Sequence, residues 1–460
     1  MPNLPPAEPF RIKVVEPLKI TTPEGRLDTL RKAHYNMFAI PAEEVFVDLM
    51  TDSGTSAMSQ YQWAGLMTGD ESYAGARNWF HLQDTIQDIT GFPYILPTHQ
   101  GRPAENILTM LTLQPGQAAL SNMFFDTTQA HVENKRAIPM NLIAREGLQP
   151  PVDLPFKGNV DVERLEDYLK EHGRAGVGLI LVTVTCNNNG GQPVSMANLR
   201  AVREVADRHG VPFFLDAARF AENAYFIQLR EPGYATKSLK EIAREMFSYV
   251  DGCTMSSKKD GLVNIGGFLA LRDEEMYRKA QQHLILMEGF LTYGGMAGRD
   301  LEALSIGLHE VLEEPYMANR VRQVHFFGGR LLEAGVPVLQ PLGGHCVMLD
   351  MKRFLPHIPQ ECFPGEALTA ALYLDSGTRG VGLGQLAFGR EDKASGKVHY
   401  SPLEVVRLAV PRRVYTDNHM NYVAESVIRI YEQKETLHGM RLTWAPEVLR
   451  HFTAHLEPVA

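Results

Sequence analysis

The sequence predicts an α/β protein: a mostly parallel sheet with helices on both faces, followed by a smaller α+β domain. Three observations predict it. Between about Tyr94 and Leu271, short apolar runs alternate with helical patterns. Each of those runs ends in polar residues. After about residue 310 the alternation stops and longer helical patterns take over. Strands that alternate with helices pair in parallel, because the crossover helix returns the chain to the same end of the sheet.

The runs read as strands are "YILPT" from Tyr94, "VGLILVTVT" from Val177, "VPFFLD" from Val211, "DGCTMS" from Asp251 and "GGFLALR" from Gly266. All are short and continuously apolar, the pattern of strands buried on both faces. Between two of them lies "SMANLRAVREVADRHG". Ser195 is placed to cap a helix, Met196, Leu199, Val202, Val205 and Ala206 form its apolar stripe, and Gly210 stops it. In the second region, "EEPYMANRVRQVHFFGGRLLEAG" reads as a helix, "VPVLQP" and "HCVMLDM" as strands, and "LEVVRLAVPRR" as a strand before a helix at about 418–435. The expected division is 1–55 for an N-terminal arm and part of the small domain, 56–310 for the large domain, and 311–460 for the small C-terminal domain. Residues 1–20 are proline-rich and expected to be extended against something, often another subunit.

Composition narrows the function. The 460 residues are 44% hydrophobic, enough for a large core, and carry a formal net charge of −9. That balance argues against a nucleic-acid partner, which calls for a basic surface. The four cysteines, Cys186, Cys253, Cys346 and Cys362, form no C-x-x-C pair and are too few for a disulfide scaffold, so a reducing cytoplasm is expected. The N-terminus shows no apolar signal core, and no apolar run reaches the roughly 18 residues a membrane span needs.

In an open α/β sheet, ligands bind beyond the carboxyl ends of the strands. The polar segments there are "HQGRPAEN", "CNNNGGQP", "DAARF" and "SSKKD". In the first, Gly101 permits close backbone approach, Arg102 brings a fork of donors, and Pro103 stands where a first helical residue would. An arginine at a helix start can hold a phosphate; a plain strand–loop–helix turn would look similar. In "FLDAARF", Asp216 can hold a protonated ring nitrogen, or simply pair with Arg219. "SSKKD" offers two adjacent lysines, Lys258 and Lys259, either a solvated pair or a nucleophile with a helper. A lysine for a Schiff base, a carboxylate for a pyridinium and a phosphate cradle are together what pyridoxal phosphate needs. A neighbouring cation and partial burial would both favour the neutral, nucleophilic amine. Other motifs fail. "RGVGLGQ" has the wrong spacing for a dinucleotide loop, and neither H-E-x-x-H nor G-x-S-x-G is present.

The segments "LMTDSGTSAMS", "GDESYAGARN", "PTHQGRPAEN", "GGQPVSMANLRAVRE", "MFSYVDGCTMSSKKD", "LVNIGGFLA", "YGGMAGRD" and "PRRVYT" carry a resemblance running nearly end to end. The chain resembles the β-eliminating lyases, the family of tryptophanase and tyrosine phenol-lyase, within the fold-type-I pyridoxal-phosphate enzymes. The resemblance implies that Lys259 holds the cofactor covalently. It places Gln100, Gly101, Arg102, Ser256 and Lys258 around the phosphate, and Asp216 on the ring nitrogen. Arg219 falls on the ring-oxygen side, Phe125 against the ring, and Asn187 and Arg407 at cofactor and carboxylate oxygens, with Thr51 and Ser53 nearby. Tyr73 is implied to reach a neighbouring subunit's site, and Gly54, Glu71 and Asn264 to form a site for potassium or ammonium shared between subunits of a homotetramer. Pro103 departs from the family's usual glycine and removes a backbone donor, which bears on phosphate affinity.

Within the family the leaving-group pocket separates the two activities. Asp126, Val381, Leu383 and His451 are the choices of tryptophanase; tyrosine phenol-lyase carries threonine, methionine, arginine and phenylalanine there. Phe452 is implied to line the same pocket. The expectation is therefore α,β-elimination of tryptophan to indole, pyruvate and ammonia. Lys259, Tyr73, Asp126 and His451 are its catalytic residues. A carboxylate can stabilise the positive charge that indole gains when protonated at carbon. The alternatives are elimination from tyrosine or from S-substituted cysteine or serine derivatives. A transaminase would share the Asp–Lys core, and a non-catalytic relative would not need to keep Lys259, Asp216, Arg219 and Asp126.

Overall fold

The computed structural model describes residues 7–392 and 397–459. The first six residues of the proline-rich arm lie outside that range; residues 11–20 are exposed and have no regular secondary structure. The chain divides into two compact units. The larger takes Asp52–Met317 and Arg412–Val414; the smaller takes the chain up to Thr51, Ala318–Pro411 and the chain from Tyr415 onward.

The larger unit is built on a seven-stranded sheet. Its order is Tyr94–Thr98, Gly267–Leu271, Gly252–Ser256, Phe213–Asp216, Val177–Thr183, Ala118–Ser121 and Ile138–Asn141. Only Gly267–Leu271 runs antiparallel to its neighbours; the other pairings are parallel. This is an α/β fold with a mostly parallel sheet, as the sequence predicts. All five strands expected from the sequence form. The two missed ones have clear reasons. Ala118–Ser121 has four residues and little pattern. Ile138–Asn141 is an edge strand containing Pro139, and proline is tolerated at an edge because no ladder hydrogen bond needs its missing N–H.

The helix between the second and third strands expected from the sequence spans Met196–His209. Ser195 caps it by accepting from the Asn198 N–H at 3.1 Å, and Gly210 ends it at φ 65°. Its buried residues are Met196, Leu199, Val202, Val205 and Ala206, the expected stripe. The core beneath the sheet collects Leu96, Ile107, Leu108, Leu179, Leu181, Phe214 and Leu269.

The smaller unit has a three-stranded antiparallel sheet, Val381–Leu383, Val405–Ala409 and Cys346–Asp350. Val324, Phe327, Leu349, Val406, Leu408, Val423 and Val427 share its core. The helices Glu314–Glu333 and Asp417–Glu432 form as expected. "VPVLQP" does not become a strand. It makes one bridge, Val338 to Leu349, because Pro337 and Pro341 lack the N–H groups a longer ladder needs.

Two buried carboxyl groups stand behind Val381–Leu383. A side chain at Gly382 would collide with Glu366, and one at Gly384 with Glu404. Glu404 accepts from the Gln385 N–H at 2.8 Å and from Gln360 at 3.1 Å, while Glu366 Oε2 and Glu404 Oε1 have no partner among the described residues. Burial, then the neighbouring Glu404 charge, pushes Glu366 up to about 8. Between its ordinary value and about pH 8 the folded chain keeps a proton that the unfolded chain has lost, so stability falls as pH rises through that window. Glu366→Gln, which can donate to the bare Glu404 oxygen, is expected to raise the melting temperature at pH 8 by a few degrees and to change it little at pH 5. An equal shift at both pH values in thermal melts would contradict this.

Candidate active site

The carboxyl ends of the central strands bring the polar segments together in the larger unit. Asp216 ends one strand and pairs in register with Thr183 on one side and Thr254 on the other. Ser256 ends the next strand, and Lys258 and Lys259 follow it. Lys259 Nζ donates to Ser256 Oγ at 2.8 Å. Burial, then the Arg219 charge, lowers Lys259 to about 8, against the opposing pull of Asp52, Asp216 and Glu105. An amine so shifted is about a tenth neutral at pH 7, far more than an ordinary lysine.

A phosphate-sized cradle adjoins it. The helix Gly101–Thr112 begins beside Ser256: a side chain at Gly101 would lie 2.6 Å from Ser256 Cβ, so only glycine lets the two backbones approach. A side chain at Gly267 would likewise lie 2.5 Å from the Gln100 carbonyl carbon. Pro103 is the third helical residue, with Gly101 the first. This corrects the expectation that proline starts the helix, and its missing N–H is one that no intrahelical carbonyl would have used. Arg102 and Lys258 feel each other's charge, and burial, then Arg102, lowers Lys258. Neither has a carboxylate partner among the described residues. Two unpaired cations at a helix start, with a glycine where a side chain would fill the space, fit a bound phosphate.

Asp216 is a buried carboxyl whose proton affinity is raised by burial and held back by Lys259, the Ala218 N–H and Arg219. A buried carboxylate in that state gains from a cation placed against it, as a protonated pyridine ring would be. Arg219 gives Nε and Nη2 to Asp52, at 3.0 and 2.7 Å. Phe125 immediately precedes the helix Asp126–Asn134, and the Asn187–Asn189 turn is tied to that segment by Asn188 Nδ2 donating to the Phe124 carbonyl at 2.6 Å. Asp126 is buried and accepts from the Thr127 N–H at 2.6 Å.

The other expected residues divide as follows. Gly54 has φ 75°, its N–H donates to the Lys258 carbonyl at 2.8 Å, and Asn264 Nδ2 donates to the Gly54 carbonyl at 3.0 Å. Gly54 and Asn264 thus meet, whereas Glu71 is paired with Arg299 at 2.9 Å. Tyr73 is exposed and packs on Phe290 and Tyr293, with centroids 5.7 and 5.3 Å away. Ser53 follows Asp52, the first residue of the larger unit; Thr51 ends the first segment of the smaller one. In the smaller unit, Val381 pairs in register with Arg407, whose Nη2 donates to the Met50 carbonyl at 3.0 Å. His451 and Phe452 pack as tilted rings with centroids 4.1 Å apart in a short turn, and Arg450 ties that turn to the Leu386 carbonyl at 2.6 Å, just beyond Leu383.

Two residues of the larger unit were not singled out by the sequence. Asp52 is the partner of Arg219. Glu105 is buried one turn into the Gly101–Thr112 helix and accepts from Thr127 Oγ1 at 3.3 Å. Burial, then Asp216, pushes it up to about 7. A glutamate in an otherwise apolar helical stripe was the available signal for the second; nothing in sequence marks the first.

Residues 48–426 match the family described as beta-eliminating lyase. The chain is 51% identical over 452 residues to a tyrosine phenol-lyase of Clostridium tetani, covering 98% of each. The chain belongs to the β-eliminating lyase family. This lyase is also 50% identical over 453 residues to a tryptophanase of Salinibacter ruber, covering 98% of this chain and 96% of that one. A solved chain from a complex of SepCysS with the SepCysE N-terminal domain aligns with TM-score 0.55 over 85% of this lyase and 96% of its own length, at 15% identity, a likeness of fold alone. Membership implies pyridoxal phosphate as cofactor, an amino acid as substrate and carbon–carbon β-elimination as the reaction. No described helix is long and apolar enough to cross a membrane.

Proposed function

We propose that this lyase removes the aromatic side chain of an amino acid, tryptophan before tyrosine, and releases pyruvate and ammonia. The observation that carries the β-elimination is Lys259, a depressed lysine set between a buried carboxylate and an anion cradle. Pyridoxal phosphate, when bound, supplies an electron sink whose ring nitrogen must stay protonated. Arg102, Lys258, Ser256, Gln100 and Gly101 hold its phosphate, and Asp216 holds the nitrogen's proton. Phe125 would pack on its ring, and Asn187 and Arg219 would supply donors to its ring oxygen. Lys259 holds the cofactor covalently and moves the α-proton. Arg407, with Thr51 and Ser53, binds the substrate carboxylate. Tyr73 of a neighbouring subunit in a homotetramer delivers the proton to the leaving group.

Whole-chain likeness leans to tyrosine phenol-lyase, 51% against 50% for tryptophanase. This gives the tyrosine reading its own support and none to the expectation of tryptophan. The pocket residues support tryptophan. Val381 and Leu383 are apolar, and no arginine stands at 383 for a phenol oxygen; leaving such an oxygen unpaired costs about 1–3 kcal/mol. Asp126 supplies a carboxylate and His451 an imidazole for a protonated indole, and Phe452 lies against His451. Indole release from tryptophan and phenol release from tyrosine, measured on one preparation, test the choice. Higher kcat/KM for tryptophan is expected; the reverse ranking makes this a tyrosine phenol-lyase.

Gly54, Asn264 and Glu71 are proposed to bind a monovalent cation through oxygen atoms. Activity is expected to be several-fold higher in potassium or ammonium than in sodium, since a carbonyl-lined site suits a large, weakly hydrated ion. Equal rates in sodium and potassium buffers would remove the site from the account.

A further inference from the structure

Asp52 sits at the centre of a buried charged network. Both its oxygens hold Arg219, and Oδ2 also accepts from Arg412 Nη1 at 2.8 Å. The same Nη1 lies 3.3 Å from the Asp52 backbone carbonyl. Arg412 is fully buried, and its Nη2 donates to Asp260 at 2.9 Å and to Glu222 at 2.8 Å. Asp260 follows Lys259 directly. Its second oxygen accepts from the Ala221 and Glu222 N–H groups at 2.8 and 3.2 Å, closing the start of the helix Phe220–Arg230, which Arg219 precedes. Asp260 N–H in turn donates to the Ala218 carbonyl at 3.2 Å. One guanidinium therefore ties together the partner of Arg219 and the neighbour of Lys259.

We propose that Asp52 is a positioning residue for the reaction: its two-point ion pair sets the direction of Arg219, and Arg412 anchors it from behind against Glu222 and Asp260. The inference rests on the reading of Lys259 as the cofactor lysine. The geometry is directional. An Arg–carboxylate fork fixes the plane of the guanidinium as well as its place, and Arg219 spends Nε and one amino group on it. Asp52 also acts on Lys259 by charge. The groups that bear on Lys259 are Arg219, which lowers its proton affinity, and Asp52, Asp216 and Glu105, which raise it, with Ser256 as its hydrogen-bond partner. Loss of the Asp52 charge leaves Arg219 uncompensated beside the lysine.

The test uses three variants. In cofactor-free protein, the pH dependence of Lys259 modification by trinitrobenzenesulfonate, located by peptide mapping, gives the lysine's midpoint. Asp52→Asn should lower that midpoint by about half a unit or more. Glu222→Gln removes an equal charge from Arg412 while leaving the Asp52–Arg219 fork intact, and Glu222 is not among the charges that bear on Lys259, so the midpoint should stay in place. Asp52→Glu keeps the charge but displaces the fork; its midpoint should hold while kcat of the loaded enzyme falls about tenfold or more with KM changing less. If Asp52→Asn does not fold, the Asp52→Glu measurement decides alone. An unmoved midpoint in folded Asp52→Asn, a shift as large in Glu222→Gln, or wild-type kcat in Asp52→Glu would each overturn the proposal. Borohydride trapping separates the two levels: cofactor fixed on another residue overturns the underlying reading too, whereas cofactor still on Lys259 confines the failure to Asp52.

Discussion

Lys259→Ala is expected to lose at least about a thousandfold in kcat with either aromatic substrate, and to remain folded. The size follows from the two tasks of one amine. In the proposed function it is both the covalent holder of the cofactor and the base that moves the α-proton, and proton transfer by a placed side chain alone is worth about 10²–10⁴. No neighbour can take over. Lys258 has its carbonyl committed to the Gly54 N–H and its ammonium on the Arg102 side, and is proposed as a phosphate contact. Lys258→Ala should therefore weaken cofactor binding with a smaller loss in kcat at saturating cofactor. Borohydride reduction followed by peptide mapping should label Lys259; a label on Lys258 would reverse the two assignments. The lowered proton affinity of Lys259 adds a sign. Capture of the cofactor by the free enzyme should speed up as pH rises towards about 8 and level off above it, because the neutral amine is the nucleophile.

Asp126→Ala is expected to cost about 10²–10³ in kcat with tryptophan and far less with an S-alkyl cysteine. Indole departs only after protonation at carbon, which places positive charge on the ring; a thiolate needs no such step. Asp126 suits the task because its carboxylate is held in advance. It begins the helix Asp126–Asn134 and accepts the N–H of the next residue at 2.6 Å, so no reorganisation is needed when charge develops. Glu105, packed under the same helix start and pushed up to about 7, adds little competing negative charge when protonated. Exchange of the α-proton of tryptophan with solvent deuterium should persist in Asp126→Ala, since that step belongs to Lys259. Equal losses with both substrates would reassign Asp126 to general positioning.

The strand ends were legible in the sequence because buried parallel strands announce themselves as apolar runs, and ligand-binding residues of such sheets follow them directly. Lys259, Asp216, Arg102 and Asn187 were singled out as candidates by that rule. Ala118–Ser121 escaped it by being four residues long, and "VPVLQP" misled it because apolar content does not reveal that its prolines forbid a ladder. Asp52 escaped for a different reason. It lies outside any strand, and its role comes from Arg219, 167 positions away, and Arg412, 360 positions away. No local pattern encodes a three-way ion pair. Glu366 and Glu404 are similar: each reads as an ordinary helix or strand-edge acid until the glycines at 382 and 384 show that their carboxyl groups fill the space behind the strand. Positions 126, 381, 383 and 451 were singled out only through resemblance, since nothing in their spacing marks them.

Simultaneous assay of keto acid and free ammonia from tryptophan and from tyrosine, with purified protein and added pyridoxal phosphate, tests the central claim most directly. The account predicts equimolar pyruvate, ammonia and aromatic product from at least one of the two, and none from Lys259→Ala. Amino-group transfer to an added keto acid without release of ammonia, or release of no product from either substrate by protein carrying the cofactor on Lys259, would contradict it.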